Sequence, residues 1–124
     1  LFLQQTQSLL CVRIRYKLIE RGIELADTTA FYTVLKQHMK TLTQYVPIVA
    51  RVHGNNHPEF HEVDKLFDLI REKTKGKRSV LPELSEEFAA LRKITSNYSI
   101  PQDVCESYEA VYTMLAELDK AYHH

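Results

Sequence analysis

Nine residues restrict the fold of this chain most: Arg51-Val52-His53-Gly54-Asn55-Asn56-His57-Pro58-Glu59 must end one helix and begin the next. Val49 and Val52 close an apolar stripe, and Gly54 can take the left-handed conformation that terminates a helix at no side-chain cost. Asn56 offers a side-chain oxygen as an N-cap. Pro58 then falls near the first turn, where its missing N–H costs nothing, and Glu59 suits the positive end of the helix dipole. Helices joined by so short a turn lie antiparallel and share a core.

Helical periodicity extends on both sides of this corner. Over residues 3–26, Leu9, Val12, Tyr16, Ile19, Ile23 and Ala26 recur on one face, and Asp27-Thr28-Thr29 supplies a polar break. A second helix is predicted from about 30 to 53, with Phe31, Leu35, Leu42, Tyr45, Val49 and Val52 on its stripe. Val34, Met39 and Val46 lie beside that stripe, His38 takes its one polar place, and Pro47 should kink the helix. A third helix begins at Pro58 and carries Phe60, Val63, Phe67 and Ile70. Lys73-Thr74-Lys75-Gly76-Lys77-Arg78-Ser79 reads as a solvated basic loop, without the glycines that let backbone N–H groups wrap a phosphate. A fourth helix starts at Pro82 with Leu84, Phe88, Leu91 and Ile94, and has Glu83, Glu86 and Glu87 at its dipole's positive end. A fifth opens at Gln102 and Asp103 and carries Val104, Tyr108, Val111, Leu115, Leu118 and Tyr122.

Five amphipathic helices with short connections and no strand alternation predict an all-α protein, an up-down four-helix bundle with an additional N-terminal helix. That first helix would pack on the outside or bind a second copy of the chain, making a homodimer. At 124 residues the chain is one domain. Its 16 basic and 16 acidic residues cancel, which argues against nucleic acid as a partner. Leu1-Phe2-Leu3 is followed at once by Gln4, Gln5, Thr6 and Gln7, so neither a signal peptide nor a membrane span is read, and a cytoplasmic protein is expected. Cys11 and Cys105 form no CxxC and read as buried thiols or, less simply, a disulfide.

Two stretches carry a family resemblance. Ile48-Val49-Ala50-Arg51-Val52-His53-Gly54-Asn55-Asn56-His57-Pro58-Glu59, with Glu62-Val63 and Leu66-Phe67 after it, resembles the hemerythrin-like domain of the di-iron iron–sulfur cluster repair proteins. Phe88, Leu91-Arg92-Lys93-Ile94-Thr95, Asn97-Tyr98, Pro101, Asp103, Cys105, Tyr108 and Leu115 agree with the same family. The resemblance runs from near residue 31 to the end. It implies a hemerythrin-like bundle over 28–124, and the extra helix over 1–27, read from its own stripe, has no counterpart in it. It also implies iron as cofactor, held by inward-facing histidines and carboxylates, and a role in repairing iron–sulfur proteins damaged by nitric oxide or oxidants.

The ligand positions depart from that pattern. Phe31 and Tyr32 stand where the first bundle helix should bring a histidine. Lysines fill Lys73 to Pro82, and Leu81 and Pro82 replace a histidine and acidic pair. In the last helix His123 matches a metal-ligand position. The expected site is therefore degenerate, or is completed by segments outside this sequence. The alternative is a metal-free helical module that acts by association.

Other candidates come from the residues themselves. His57 and His61 stand one helical turn apart, so their rings could meet on a metal, or both could face solvent in the helix's first turn. His38 reads as a core or boundary histidine with one hydrogen bond, and His123-His124 could be a frayed terminus. Cys105 lies near the positive end of the fifth helix, as a structural or an activated thiol. No Ser–His–Asp or Cys–His arrangement follows from the spacing.

Overall fold

The computed structural model describes residues 25–76 and 80–123. They form four helices, α1 (Leu25–His53), α2 (Glu59–Lys73), α3 (Ser85–Ile94) and α4 (Glu106–Tyr122), and no strand. The helix expected over 3–26, its dimerising face and Cys11 lie outside these residues but for the last two positions of that helix. No described helix is long and apolar enough to cross a membrane.

The apolar stripes form one core. Phe60, Val63, Phe67 and Ile70 of α2 are buried against Tyr108, Val111, Leu115 and Leu118 of α4 and Phe31, Leu35, Leu42, Val46 and Val49 of α1. Helix α1 packs closely on α4 and on α2, and α2 on α3. Helices α3 and α4 meet through long side chains instead. The Arg92 guanidinium donates to both carboxylate oxygens of Asp119 at 2.7 and 2.8 Å, and the Tyr98 hydroxyl donates to Asp119 Oδ2 at 2.7 Å. Asp119 is buried and also faces His123 Nδ1, 2.8 Å from its Oδ1.

Several boundaries differ from the sequence reading. Asp27-Thr28-Thr29 lies inside α1 and breaks nothing, because three polar residues of modest helix propensity do not stop a helix without Gly or Pro. Pro47 lies inside the same helix, as the sequence predicts, and is exposed. Val52 is 62% exposed, while Ala50 is buried in its stead. The buried series 42, 46, 49, 50 tracks the 3.6-residue turn, and Val52 has rotated off it. Helix α3 starts at Ser85 rather than Pro82. The Tyr122 hydroxyl donates to the Pro82 carbonyl at 2.8 Å and accepts from Leu84 N at 2.9 Å, so α4 holds residues 82–84 outside the helix. Helix α4 starts at Glu106, with Cys105 in the N-cap position but making no side-chain cap bond, and Gln102 and Asp103 stay in the preceding turn.

The corner folds tightly, but by other means than expected. Gly54 N donates to the Ala50 carbonyl at 2.9 Å and His57 N to the His53 carbonyl at 2.7 Å. Gly54 is not left-handed. A glycine is required because a Cβ there would collide with the Ala50 carbonyl oxygen and the His61 ring. Asn56 is not the cap. Pro58 takes that place without a side-chain bond, and the first free N–H groups of α2 reach the carbonyls of His57 and Pro58.

Between α3 and α4 the backbone turns through Ser96, Asn97 and Tyr98 at φ of 53°, 60° and 61°. None is a glycine, and left-handed backbone costs an ordinary residue about 1–2 kcal/mol. Asn97 N donates to the Arg92 carbonyl and Tyr98 N to Thr95 Oγ1, each at 2.8 Å. The Tyr98 hydroxyl on Asp119 anchors the far side.

Candidate functional site

Antiparallel helices bring the chemistry-bearing residues to two ends. One end gathers the start of α1, the end of α2, the start of α3 and the end of α4, and with them Phe31, Tyr32, Lys73, Leu81, Pro82 and His123, the described positions that the family resemblance compares with metal ligands. Phe31 and Phe88 are fully buried there, and Phe31 meets the Tyr32 and Tyr122 rings at 5.3 and 5.5 Å. Phe88 meets Tyr122 at 5.3 Å. The Tyr32 hydroxyl donates to the Val80 carbonyl at 3.2 Å.

Lys73, at the end of α2, places its ammonium 2.7 Å from Glu87 Oε2 and 3.2 Å from the Glu83 carbonyl. The Glu87 hydrogen bond raises the Lys73 pKa, which keeps it a cation. A protonated ammonium has no lone pair to give a metal. Leu81 and Pro82 are half-buried and offer no ligand side chain. Of the expected ligands only His123 has the right chemistry, and its Nδ1 is engaged by Asp119, 2.8 Å from Oδ1 and 3.0 Å from the carbonyl. These residues do not fit a di-iron centre. Among the described residues no group of three or more His, Cys, Asp or Glu side chains could hold a metal ion.

The other end is the corner, with the α3–α4 loop and the start of α4 beside it. His57 is held at both ring nitrogens, Nδ1 at 3.0 Å from Glu59 Oε2 and Nε2 at 3.1 Å from Asp103 Oδ1. Only the imidazolium donates from both nitrogens. Burial pulls the His57 pKa down, but the bonds to Glu59 and Asp103 outweigh it and the net shift is upward. His61 is exposed, with its ring over Gly54, and no hydrogen bond joins it to His57. His38 sits half-buried elsewhere on α1, 2.6 Å from Glu117.

Beneath the corner, the Tyr108 and Tyr112 hydroxyls lie 3.0 Å apart, and Tyr108 donates to Glu59 Oε2 at 3.4 Å. Burial first, and then the bond between them, pushes the Tyr108 phenol well above the usual tyrosine range. At the surface His53 Nε2 lies 3.2 Å from Cys105 Sγ, and the His53 ring stands edge-on to Tyr108 at 5.4 Å. The sequence reading found no Cys–His pair because 52 positions separate these two. The available signal was that His53 ends one helix and Cys105 precedes another at the same end of an antiparallel bundle.

Similarity to known proteins is weak. The chain is 23% identical to the iron-sulfur cluster repair protein ScdA of Staphylococcus haemolyticus (strain JCSC1435), over 75% of this chain and 56% of the relative. Proteins of the same name from two strains of Staphylococcus epidermidis are also 23% identical, over 77% of this chain and 56% of theirs. The chain thus spans about half the length of the curated relatives it matches. No protein-family model matches the chain. No solved structure matches it significantly.

Proposed function

We propose that this chain serves the repair of iron–sulfur proteins, as its relatives are named for, and does so as a hemerythrin-like bundle without iron of its own. The weak similarity to repair proteins supports the first half. The second half is carried by one observation: the Lys73–Glu87 pair and the Phe31–Tyr122–Phe88 contacts occupy the end where iron would be held. Such a bundle acts by association, with damaged iron–sulfur proteins or with a second copy of the chain as its partners.

One experiment addresses both halves. The purified chain is mixed with an iron–sulfur protein, intact or oxidatively damaged, with and without anaerobic ferrous ion. The expected result is preference for the damaged protein and a Tm that ferrous ion leaves unchanged. Equal binding to both forms would remove the repair role. A Tm that rises with ferrous ion would remove the metal-free reading, since a site at a hundredfold excess over its Kd adds about 2.7 kcal/mol.

A further inference from the structure

We propose that Cys105 is a nucleophilic thiol with His53 as its base, and that the pair exchanges with low-molecular-weight disulfides. This stands on the corner geometry alone and does not depend on the repair role.

Nucleophile and base within hydrogen-bond reach, with the base held by a third group, is the arrangement that activates a thiol. Sγ and Nε2 are 3.2 Å apart. The His53 ring is set edge-on against Tyr108, whose own hydroxyl is fixed by Tyr112 and Glu59. The thiol side is fixed as well. Asp103, two positions before Cys105, is tied to His57 across the corner at 3.1 Å. Cys105 is exposed, so a reagent can reach it, and it stands at the N-cap of a 17-residue helix, at the dipole's positive end, with no side-chain bond to that helix. Glu106 and Glu109 in the same first turn oppose that field, which leaves His53 as the group that must take the proton.

For the thiol to donate to Nε2, the neutral His53 ring carries its hydrogen on Nδ1. The thiol proton passes to Nε2 as Sγ attacks one sulfur of the disulfide. A bond forms between Sγ and that sulfur, and the original disulfide bond breaks. The departing sulfur leaves as a thiolate and takes the proton back from His53. One disulfide and one thiol give one mixed disulfide and one thiol, with no net oxidant consumed. The product is a covalent cap on the corner end of the bundle.

The test uses the full chain carrying Cys11→Ser, which leaves Cys105 as its one cysteine, with oxidised glutathione as the probe and intact mass as the readout. The expected result is a mixed disulfide that forms at least about tenfold faster in the folded chain than in the same chain unfolded by urea at the same pH. Adding His53→Gln should lower the folded rate about tenfold. A folded rate no faster than the unfolded one, or a rate that His53→Gln leaves unchanged, would overturn the proposal. If His53→Gln loses its helical signal, the folded-to-unfolded ratio of the parent decides alone.

Discussion

At one end of the bundle the hydroxyls of Tyr32 and Tyr122 bond to main chain; at the other those of Tyr108 and Tyr112 bond to each other and to a carboxylate. Tyr32 and Tyr122 donate to the carbonyls of Val80 and Pro82, and the buried carboxylate nearby, Glu87, is taken by Lys73. Among these groups Glu87 Oε1 is left without a hydrogen-bond partner, its Oε2 being held by Lys73. At the corner, Tyr108 and Tyr112 share a bond, Glu59 is divided between Tyr108 and His57, and an imidazole and a thiol remain at the surface. Both ends bury aromatic rings of similar size. The difference is that one end sets its titratable side chains against cations and main-chain carbonyls, while the other sets phenols, an imidazole and a carboxylate against one another. A bundle can surrender one end to packing while the opposite end keeps chemistry.

The sharpest way to break this contrast is Phe31→Ala. If the first end is a packed plug, removing a fully buried ring in contact with Tyr32 and Tyr122 should cost about 3–5 kcal/mol in urea denaturation. A loss below about 1 kcal/mol would mean that this end is loosely filled and free to accept a ligand. At the corner, Gly54→Ala should cost less, about 1–3 kcal/mol, because the new Cβ meets the Ala50 carbonyl and the His61 ring. Adding His61→Ala should recover only part of the loss, since the backbone carbonyl stays in place. Full recovery would show that the side chain alone sets the requirement.

The smallest effect sharpens the contrast through pH. The folded pKa of His57 lies above its ordinary 6.5, so its stabilisation is complete below that value and is lost as pH rises through the folded one. The stability difference between the parent chain and His57→Gln should therefore be full below pH 6.5 and shrink as pH rises above it. Its size at the acid end should be roughly 0.2–1 kcal/mol, because the Asp103 partner is largely exposed. A difference that grows with pH would contradict the two-carboxylate arrangement.

The stripes of α2 and α4 were legible because apolar burial imposes the helical period directly: Phe60, Val63, Phe67 and Ile70 could be placed without knowing any neighbour. What was not legible depends on partners distant in sequence. Asn56 looked like a cap, but whether a side chain caps depends on the path that the corner takes. Glu87 and Asp119 are buried because Lys73 and Arg92 come from other helices to meet them. A trace was present, since Asp119 falls on the face that carries Leu115, Leu118 and Tyr122. The candidate site fared worse for the same reason. His57 and His61 share a helical turn in sequence, yet in space His57 belongs with Glu59 and Asp103 and His61 with Gly54. His53 and Cys105 stand 52 positions apart, and their pairing exists only in the folded chain.

The left-handed run at Ser96, Asn97 and Tyr98 has a consequence for the order in which the chain takes shape. Its main-chain bonds are local, but the tyrosine hydroxyl rests on a carboxylate 21 positions downstream. A nascent chain that has made α3 but not yet α4 has nothing on which to rest that hydroxyl, and the three residues would fall back to ordinary right-handed or extended backbone. The curve of this loop is therefore written by the last helix, and it is drawn late.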